Sequence, residues 1–205
     1  VTASGEQLVA DFRSELNLNK YSVFTQISKG FIADRLKFSL GVRTDVAGYN
    51  DAMENPIDQL SPRLSASYLF APKWSLNASV GRFFQLPPYT ILGYRDNANN
   101  LVNKQNGITY IQADHAVLGL EYLPFTNTKI SLEGFYKVYD NYPFLTRDRV
   151  SLANLGSDFG VIGNGPAVPL SGGRAYGLEF LIQQKLTKGF YGILAATLVK
   201  SEFED

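Results

Sequence analysis

The feature that most constrains this chain is the way its links alternate in length. Eight strand-like stretches of similar length are joined first by a tight link and then by a long one. The short links fall at residues 30–35, 71–73, 123–128 and 186–189, and the long ones between them at 46–61, 83–114 and 140–173. An antiparallel up-and-down sheet, plain at one end and elaborated at the other, gives this rhythm. Membrane-spanning barrels have that asymmetry, with short turns on one side and long loops on the other.

Within the stretches, residues alternate with a period of two, the mark of a strand with two different faces. Leu36, Phe38, Leu40 and Val42 are interleaved with Lys37, Ser39, Gly41 and Arg43. Leu64, Ala66, Tyr68 and Phe70 alternate with Arg63, Ser65 and Ser67, and Trp74, Leu76, Ala78 and Val80 with Ser75, Asn77, Ser79 and Gly81. Ile130, Leu132, Tyr136 and Val138 oppose Lys129, Ser131, Glu133 and Lys137; Tyr176, Leu178, Phe180 and Ile182 oppose Ala175, Gly177, Glu179 and Gln183. Residues 116–122 fit less cleanly. Residues 21–28 and 190–200 are strands by residue type, without an assigned face.

A soluble sandwich alternates too, so other features must separate the two. The polar face carries full charges in mid-strand beside Gly and Ser, as a wet lumen allows. Tyr68, Phe70 and Trp74 flank the turn Ala71-Pro72-Lys73, and Tyr122 and Phe125 flank another. Amphipathic rings at strand ends suit a membrane interface. Apart from one short helical stretch around residues 8–12, no amphipathic helix is available to cover a sheet. Mean hydropathy is −0.09, and no run approaches the roughly 18 apolar residues of a spanning helix. A barrel needs no such run, because only every second residue meets lipid. The 12 Tyr and 14 Phe can supply aromatic girdles.

Formal charge is zero, which weighs against a nucleic-acid partner. Without cysteine there is no disulfide framework or thiolate site. The first 20 residues hold no positive region followed by an apolar one, the chain begins without Met, and it runs past its last strand as Ser201-Glu202-Phe203-Glu204-Asp205. Both ends read as cuts through a longer protein. The expected fold is therefore all-β, an arc of about eight strands from a wider transmembrane barrel, with 1–205 as one partial barrel domain.

Several segments resemble the barrel of TonB-dependent outer-membrane receptors. They are Leu60-Ser61-Pro62-Arg63-Leu64-Ser65, the run from Trp74-Ser75-Leu76 through Gly81-Arg82-Phe83-Phe84-Gln85-Leu86-Pro87-Pro88, and residues 36–45 with their Leu-Gly-Val-Arg-Thr-Asp ending. Ile130-Ser131-Leu132-Glu133-Gly134-Phe135-Tyr136-Lys137 and Gly173-Arg174-Ala175-Tyr176-Gly177-Leu178-Glu179-Phe180 complete the set. Together they cover most of residues 21–200, and their composition is most similar to receptors of the Bacteroidetes type. The resemblance implies a barrel of about 22 strands with an N-terminal plug domain. Such a receptor sits in the bacterial outer membrane, in contact with its lipid, and imports a scarce nutrient (a siderophore, haem, cobalamin or an oligosaccharide) on energy passed through TonB. The chain departs from the pattern by lacking the plug, the signal and the closing strands.

No catalytic constellation is present, so no enzyme and no cofactor is expected. His115, at the start of a strand, is the only histidine, and one ligand cannot hold zinc; a rim or loop role is expected. Arg63, Arg82, Glu121, Glu133, Lys137, Arg174 and Glu179 are read as charges facing the lumen, which in a full receptor would hold the plug. The glycine-rich stretches 156–165 and 171–173 lack phosphate-loop spacing and read as flexible loops. The Asn-rich segment 95–106 has too few carboxylates for calcium and reads as an extracellular loop. Tyr89, Tyr94, Tyr142, Phe144 and Arg147 fall in long links, where rings and a guanidinium can contact a ligand or pack the loops together. Two rival readings remain: a small complete eight-stranded outer-membrane barrel with a structural or adhesive role, and a soluble lipocalin-like binder. The small barrel needs residues 21–28 paired with 190–200, and the soluble binder needs the apolar stripe buried. A fragment leaves two free edges, and such an isolated piece is expected to self-associate.

Overall fold

The computed structural model describes residues 14–155 and 164–205. The expected helix around residues 8–12 and most of the glycine-rich stretch 156–165 lie outside them. The described chain forms one antiparallel sheet. Its strands are β1 (Lys20–Phe31), β2 (Leu36–Ala47), β3 (Ser61–Ala71), β4 (Trp74–Gln85), β5 (Ile111–Phe125), β6 (Thr128–Leu145), β7 (Val150–Ser151), β8 (Ala167–Thr187) and β9 (Phe190–Phe203). Neighbours follow in chain order, except that the short β7 pairs only with the end of β6, so that β8 lies beside β6. Among the described residues β1 pairs only with β2 and β9 only with β8, so both edges of the sheet are free.

At the plain end the turns are tight. Between β8 and β9 the two loop residues Lys188 and Gly189 take φ of 51° and 83°. Two consecutive left-handed residues make the turn whose twist matches that of the flanking strands.

The pairing register sorts the side chains into rows. Leu40, Leu64, Val80, Ala116, Tyr136 and Tyr176 stand opposite one another in turn from β2 to β8. Toward the plain end follow the rows of Ala78–Leu118, Leu76–Leu120 and Trp74–Tyr122. Residues on one face repeat about every 6.7 Å along a strand. Four such rows enclose about 20 Å along the strand, or about 15 Å along the membrane normal at a tilt near 40°, and with the reach of the outermost side chains they fill most of the roughly 25 Å apolar band of an outer-membrane barrel. The register also assigns the two edge strands: Ile27 faces out beside Leu40, and Leu194 and Leu198 beside Ile182 and Leu178. The band is exposed, with Leu118 at 57% and Val80 at 54%.

The strands outrun their expected limits at the elaborated end. β4 reaches Gln85 and β5 starts at Ile111, so the link 83–114 is shorter than the alternation indicated; β6 and β8 likewise extend into 140–173. In β4 and β5 the pairing runs on without a shift to Gln85 and Ile111, whereas in β6 and β8 parity slips and hides the extension. Asn141 has φ of 57° and sits in a bulge where the β6–β8 register shifts between Tyr139 and Tyr142. An Asn side chain tolerates that left-handed conformation.

The buried apolar cluster lies at the elaborated end, in the long links and the strand ends that bound them. Tyr49 and Met53 from the first long link meet Ile91, Leu92, Ile108 and Tyr110 from the second and Leu152 from the third, together with Ala47, Leu145 and Ala167 at the ends of β2, β6 and β8. Two one-turn helices, α1 (Asp51–Glu54) and α2 (Tyr89–Leu92), carry Met53, Ile91 and Leu92 of it, and a third, α3 (Val102–Gln105), supplies a buried polar residue beside it. Asn103 on α3 is fully buried and joins two links. Its Nδ2 donates to the Ile91 carbonyl (2.7 Å) and the Gly165 carbonyl (3.0 Å), and its Oδ1 accepts from the Ala167 amide (2.7 Å). Tyr49 ties in the first link by donating to the Leu92 carbonyl at 2.9 Å.

Replacing Asn103 by Ala leaves the Gly165 carbonyl and the Ala167 amide without this partner and takes one of two donors from the Ile91 carbonyl, which also accepts from the Tyr94 amide, at a cost of about 2–4 kcal/mol to this cap. Hydrogen exchange should accelerate across residues 86–110 and 164–167 while the strand amides of the apolar band keep their protection.

Candidate functional site

Two surfaces of the sheet have different chemistry. On the apolar face, the row beyond Val80 and Tyr136 is charged: Arg82, Asp114, Val138, Arg174 and Glu202 stand side by side. Arg82 and Arg174 therefore do not face the polar side as expected. Each is an even number of residues from the outward Val80 or Tyr176, and the period of two leaves no other choice. They sit just past the edge of the apolar band, and each is neutralised locally. Arg82 makes a bidentate pair with Asp114 at 2.8 Å, Arg174 meets Glu202 at 2.8 Å, and Lys200 meets the same carboxylate at 2.6 Å. At the opposite edge the rings of Trp74 and Tyr122 stack at 4.3 Å, with Phe70 at 6.5 Å from Trp74.

The other face is polar. Lys37, Ser67, Asn77, Gly119, Glu133 and Glu179 form one row, and Ser39, Ser65, Ser79, Val117, Phe135 and Gly177 the next. A concavity of about 350 Å³ opens over Ser39, Ser65, Ser67, Asn77, Ser79 and Glu133. Glycine is required at Gly177, where a Cβ would fall 2.1 Å from the Leu198 carbonyl oxygen. Glu121 pairs with Lys129 at 2.7 Å. Glu133 and Glu179 stand directly opposite each other without an ion-pair partner among the described residues, an arrangement of like charges that is destabilising unless something else answers it.

Toward the cap come the row of Arg63, Gly81, His115 and Lys137 and then that of Phe83, Ala113, Tyr139, Gly173 and Phe203. His115 is thus well inside β5 and on the polar wall, not at a strand start or in a loop. Its ring centroid lies 4.5 Å from that of Phe83. Alternation carried part of this signal, because Phe83 shares parity with Ser79 and Gly81 in β4 and Tyr139 with Lys137 in β6, but that Arg63 and His115 stand beside them follows only from the register.

The five residues expected in the long links do not converge. Tyr142 and Phe144 lie within β6, not in a link, because the strand continues past the Asn141 bulge. Tyr142 packs against Phe203, with ring centroids 5.0 Å apart, and against Tyr139 at 6.2 Å. Tyr89 opens α2 and is 62% exposed, and Tyr94 is half-buried just after that helix. Arg147 is exposed in the turn after β6, beside Asp148 and donating to the Asn164 carbonyl at 3.3 Å. In the Asn-rich link, Asp96 is occupied by its own turn. It accepts from the Asn100 side chain (3.0 Å) and amide (2.8 Å) and from the Ala98 amide (3.0 Å), which holds its carboxyl below the usual range. Among the described residues no group of three or more His, Asp or Glu side chains could hold a metal ion. Asn103, the organiser of the cap, has no sequence signature beyond its amide.

A two-faced antiparallel sheet with an exposed apolar band, edged by rings and by paired charges and backed by a polar wall, is the wall of an outer-membrane-type β-barrel. The family comparison is specific. The model described as TonB dependent receptor-like, beta-barrel matches residues 2–204, and the chain belongs to that family, whose members are receptors and transporters of the bacterial outer membrane and not enzymes. No curated protein matches the chain by sequence. Among solved structures, the FrpB iron transporter of Neisseria meningitidis aligns with a TM-score of 0.60 at 14% identity, covering 91% of this chain and 26% of its own. The pyoverdine receptor FpvA of Pseudomonas aeruginosa, bound to pyoverdine, aligns with a TM-score of 0.59 at 16% identity, over 90% of this chain and 25% of its own. For the siderophore receptor PirA of the same organism the TM-score is 0.57 at 15% identity, over 90% and 32%. The chain thus spans about a quarter to a third of these receptors.

Burial pushes the phenols of Tyr49 and Tyr110 up to about 12. A phenol that is harder to ionise in the folded cap stabilises it fully below the unfolded value near 10, and that contribution is lost as pH rises toward 12. Absorbance at 295 nm should therefore show a late tyrosinate step that the double variant Y49F/Y110F lacks. Because the Tyr110 hydroxyl is buried without a partner, Y110F alone should be as stable as the parent. Y49F, which loses a hydrogen bond, should cost about 1 kcal/mol.

Proposed function

We propose that this chain is part of the wall and outer rim of an energy-coupled outer-membrane receptor that takes up a scarce nutrient. The observation that carries the proposal is the exposed band of four apolar rows with a charged polar wall behind it, a pairing that serves only a sheet with lipid on one side and water on the other. The family match and the likeness to iron and siderophore receptors favour uptake as the task. The nutrient is a siderophore, haem, cobalamin or an oligosaccharide. In this view the long links face the outside and the polar wall lines the lumen. Glu121, Glu133 and Glu179, nearer the plain end, face a plug domain, Arg63 and Lys137 line the lumen beneath the cap, and TonB supplies the energy. The free edges of β1 and β9 carry unpaired backbone groups, so this arc on its own associates with further copies.

The rival readings find no support. A small closed barrel needs β1 paired with β9, and a soluble binder needs Leu64, Trp74, Leu132 and Phe180 buried, whereas Leu64, Leu132 and Phe180 are exposed and Trp74 is only half-buried.

The test uses the full-length receptor. It should fractionate with the outer membrane and support growth on its nutrient only in cells with intact TonB. Leu118→Arg, in mid-band, should cost about 2–4 kcal/mol in folding into lipid vesicles, read from heat-modifiable mobility. Ser79→Arg on the opposite face of the adjacent strand should cost far less. Equal penalties, or growth independent of TonB, would overturn the proposal.

A further inference from the structure

Beneath the cap, the polar wall gathers cations and rings in two neighbouring rows. The Arg63 guanidinium lies over the Phe83 ring, 4.3 Å from its centroid. The Phe83 ring is 4.5 Å from His115, and Tyr139 lies 6.5 Å beyond His115. Lys137 stands directly opposite His115 in the β5–β6 register. Among the described residues neither Arg63 nor Lys137 meets a carboxylate, although Arg43, Arg82, Lys129, Arg174 and Lys200 all do.

The carboxylates without partners lie elsewhere. Glu133 and Glu179 occupy a row nearer the plain end. Glu133 is four residues from Lys137 along β6, a rise of about 13 Å. That exceeds the Debye length of about 8 Å at physiological salt, so the two sets do not neutralise each other across this wet surface. The patch under the cap is positive and aromatic, whereas the row below it is mixed, with Glu133 and Glu179 at one end and Lys37 at the other.

We propose that the patch of Arg63, Phe83, His115, Lys137 and Tyr139 is a ligand-contact site for an anion built on a flat conjugated ring system. The two cations take the anionic groups and the rings take the flat face. A neutral sugar leaves two cations unanswered and asks for amide and carboxylate partners that the patch lacks. A small inorganic anion makes no use of the rings. The packing of Arg63 on Phe83 also holds its planar head ready, which reduces the ordering cost of binding. This proposal rests on the chain being a receptor wall and narrows the cargo of that receptor.

The experiment uses the full-length receptor in detergent with three probes: pyrenetetrasulfonate (flat and anionic), citrate (anionic without a ring) and maltohexaose (neutral). Pyrenetetrasulfonate should bind most tightly. R63Q/K137Q should weaken it at least about tenfold and flatten its salt dependence, and F83L should weaken it with the salt dependence kept. Failure of the wild type to bind pyrenetetrasulfonate, a preference for either other probe, or unchanged binding in R63Q/K137Q overturns the proposal. Heat-modifiable mobility, measured on the same samples, reports the barrel separately. A receptor that inserts but ignores the flat anion sinks this site alone, whereas one that never inserts sinks the receptor reading.

Discussion

A strand that crosses hydrocarbon has no water for its N–H and C=O groups, and each one left unpaired costs several kcal/mol. The rest of the structure follows from this constraint. It demands long strands in register, and the ladders are unbroken through the four apolar rows. The shifts fall at the edges of the band or past it: Leu69–Ala71, Tyr122–Phe125 and Gln184–Thr187 at the plain end, and Tyr139–Phe144 at the other. Irregular backbone is confined to where water can satisfy it. The same constraint makes the free edges of β1 and β9 costly in isolation, since their outer rows of backbone groups have no ladder partner among the described residues.

Once the ladder is set, the face of every side chain is decided by parity, and depth decides what parity means. Arg63 and Arg82 lie at nearly the same height on adjacent strands, yet one points to the polar wall and the other to the lipid side. Arg82 is tolerated because it lies one row past Val80 and is neutralised by Asp114. Arg63 makes no ion pair among the described residues; it faces the wet side, where it packs on Phe83. Charge type alone does not reveal which side of a barrel wall a residue occupies.

The chain inverts the plan of a soluble domain. Its widest apolar surface is exposed, and its buried core sits among the links at the elaborated end. Long links with Met53, Ile91, Leu92 and Ile108 fold because those residues bury one another, and the buried backbone they bring along is satisfied by amides such as Asn103 and Asn50. The elaborated end of this arc is therefore a packed body and not a set of separate loops. The aromatic and cationic residues lie on the wall beneath it, not gathered at its tips.

Alternation, link lengths and the order of motifs were local properties, so the sequence by itself determined the antiparallel sheet, its two faces, its plain and elaborated ends and its family. Period two survives without knowledge of neighbours, and Leu36 through Val42 or Trp74 through Val80 could be sorted from the string alone. What only the tertiary structure decided depends on residues far apart in the chain. The Asn141 bulge carried Tyr142 and Phe144 into a strand, ion pairs neutralised Arg82 and Arg174 beyond the band, and Asn103 bound two distant links. Arg63, Phe83, His115, Lys137 and Tyr139 came together because inter-strand hydrogen bonds fix register, and register depends on which strand lies beside which.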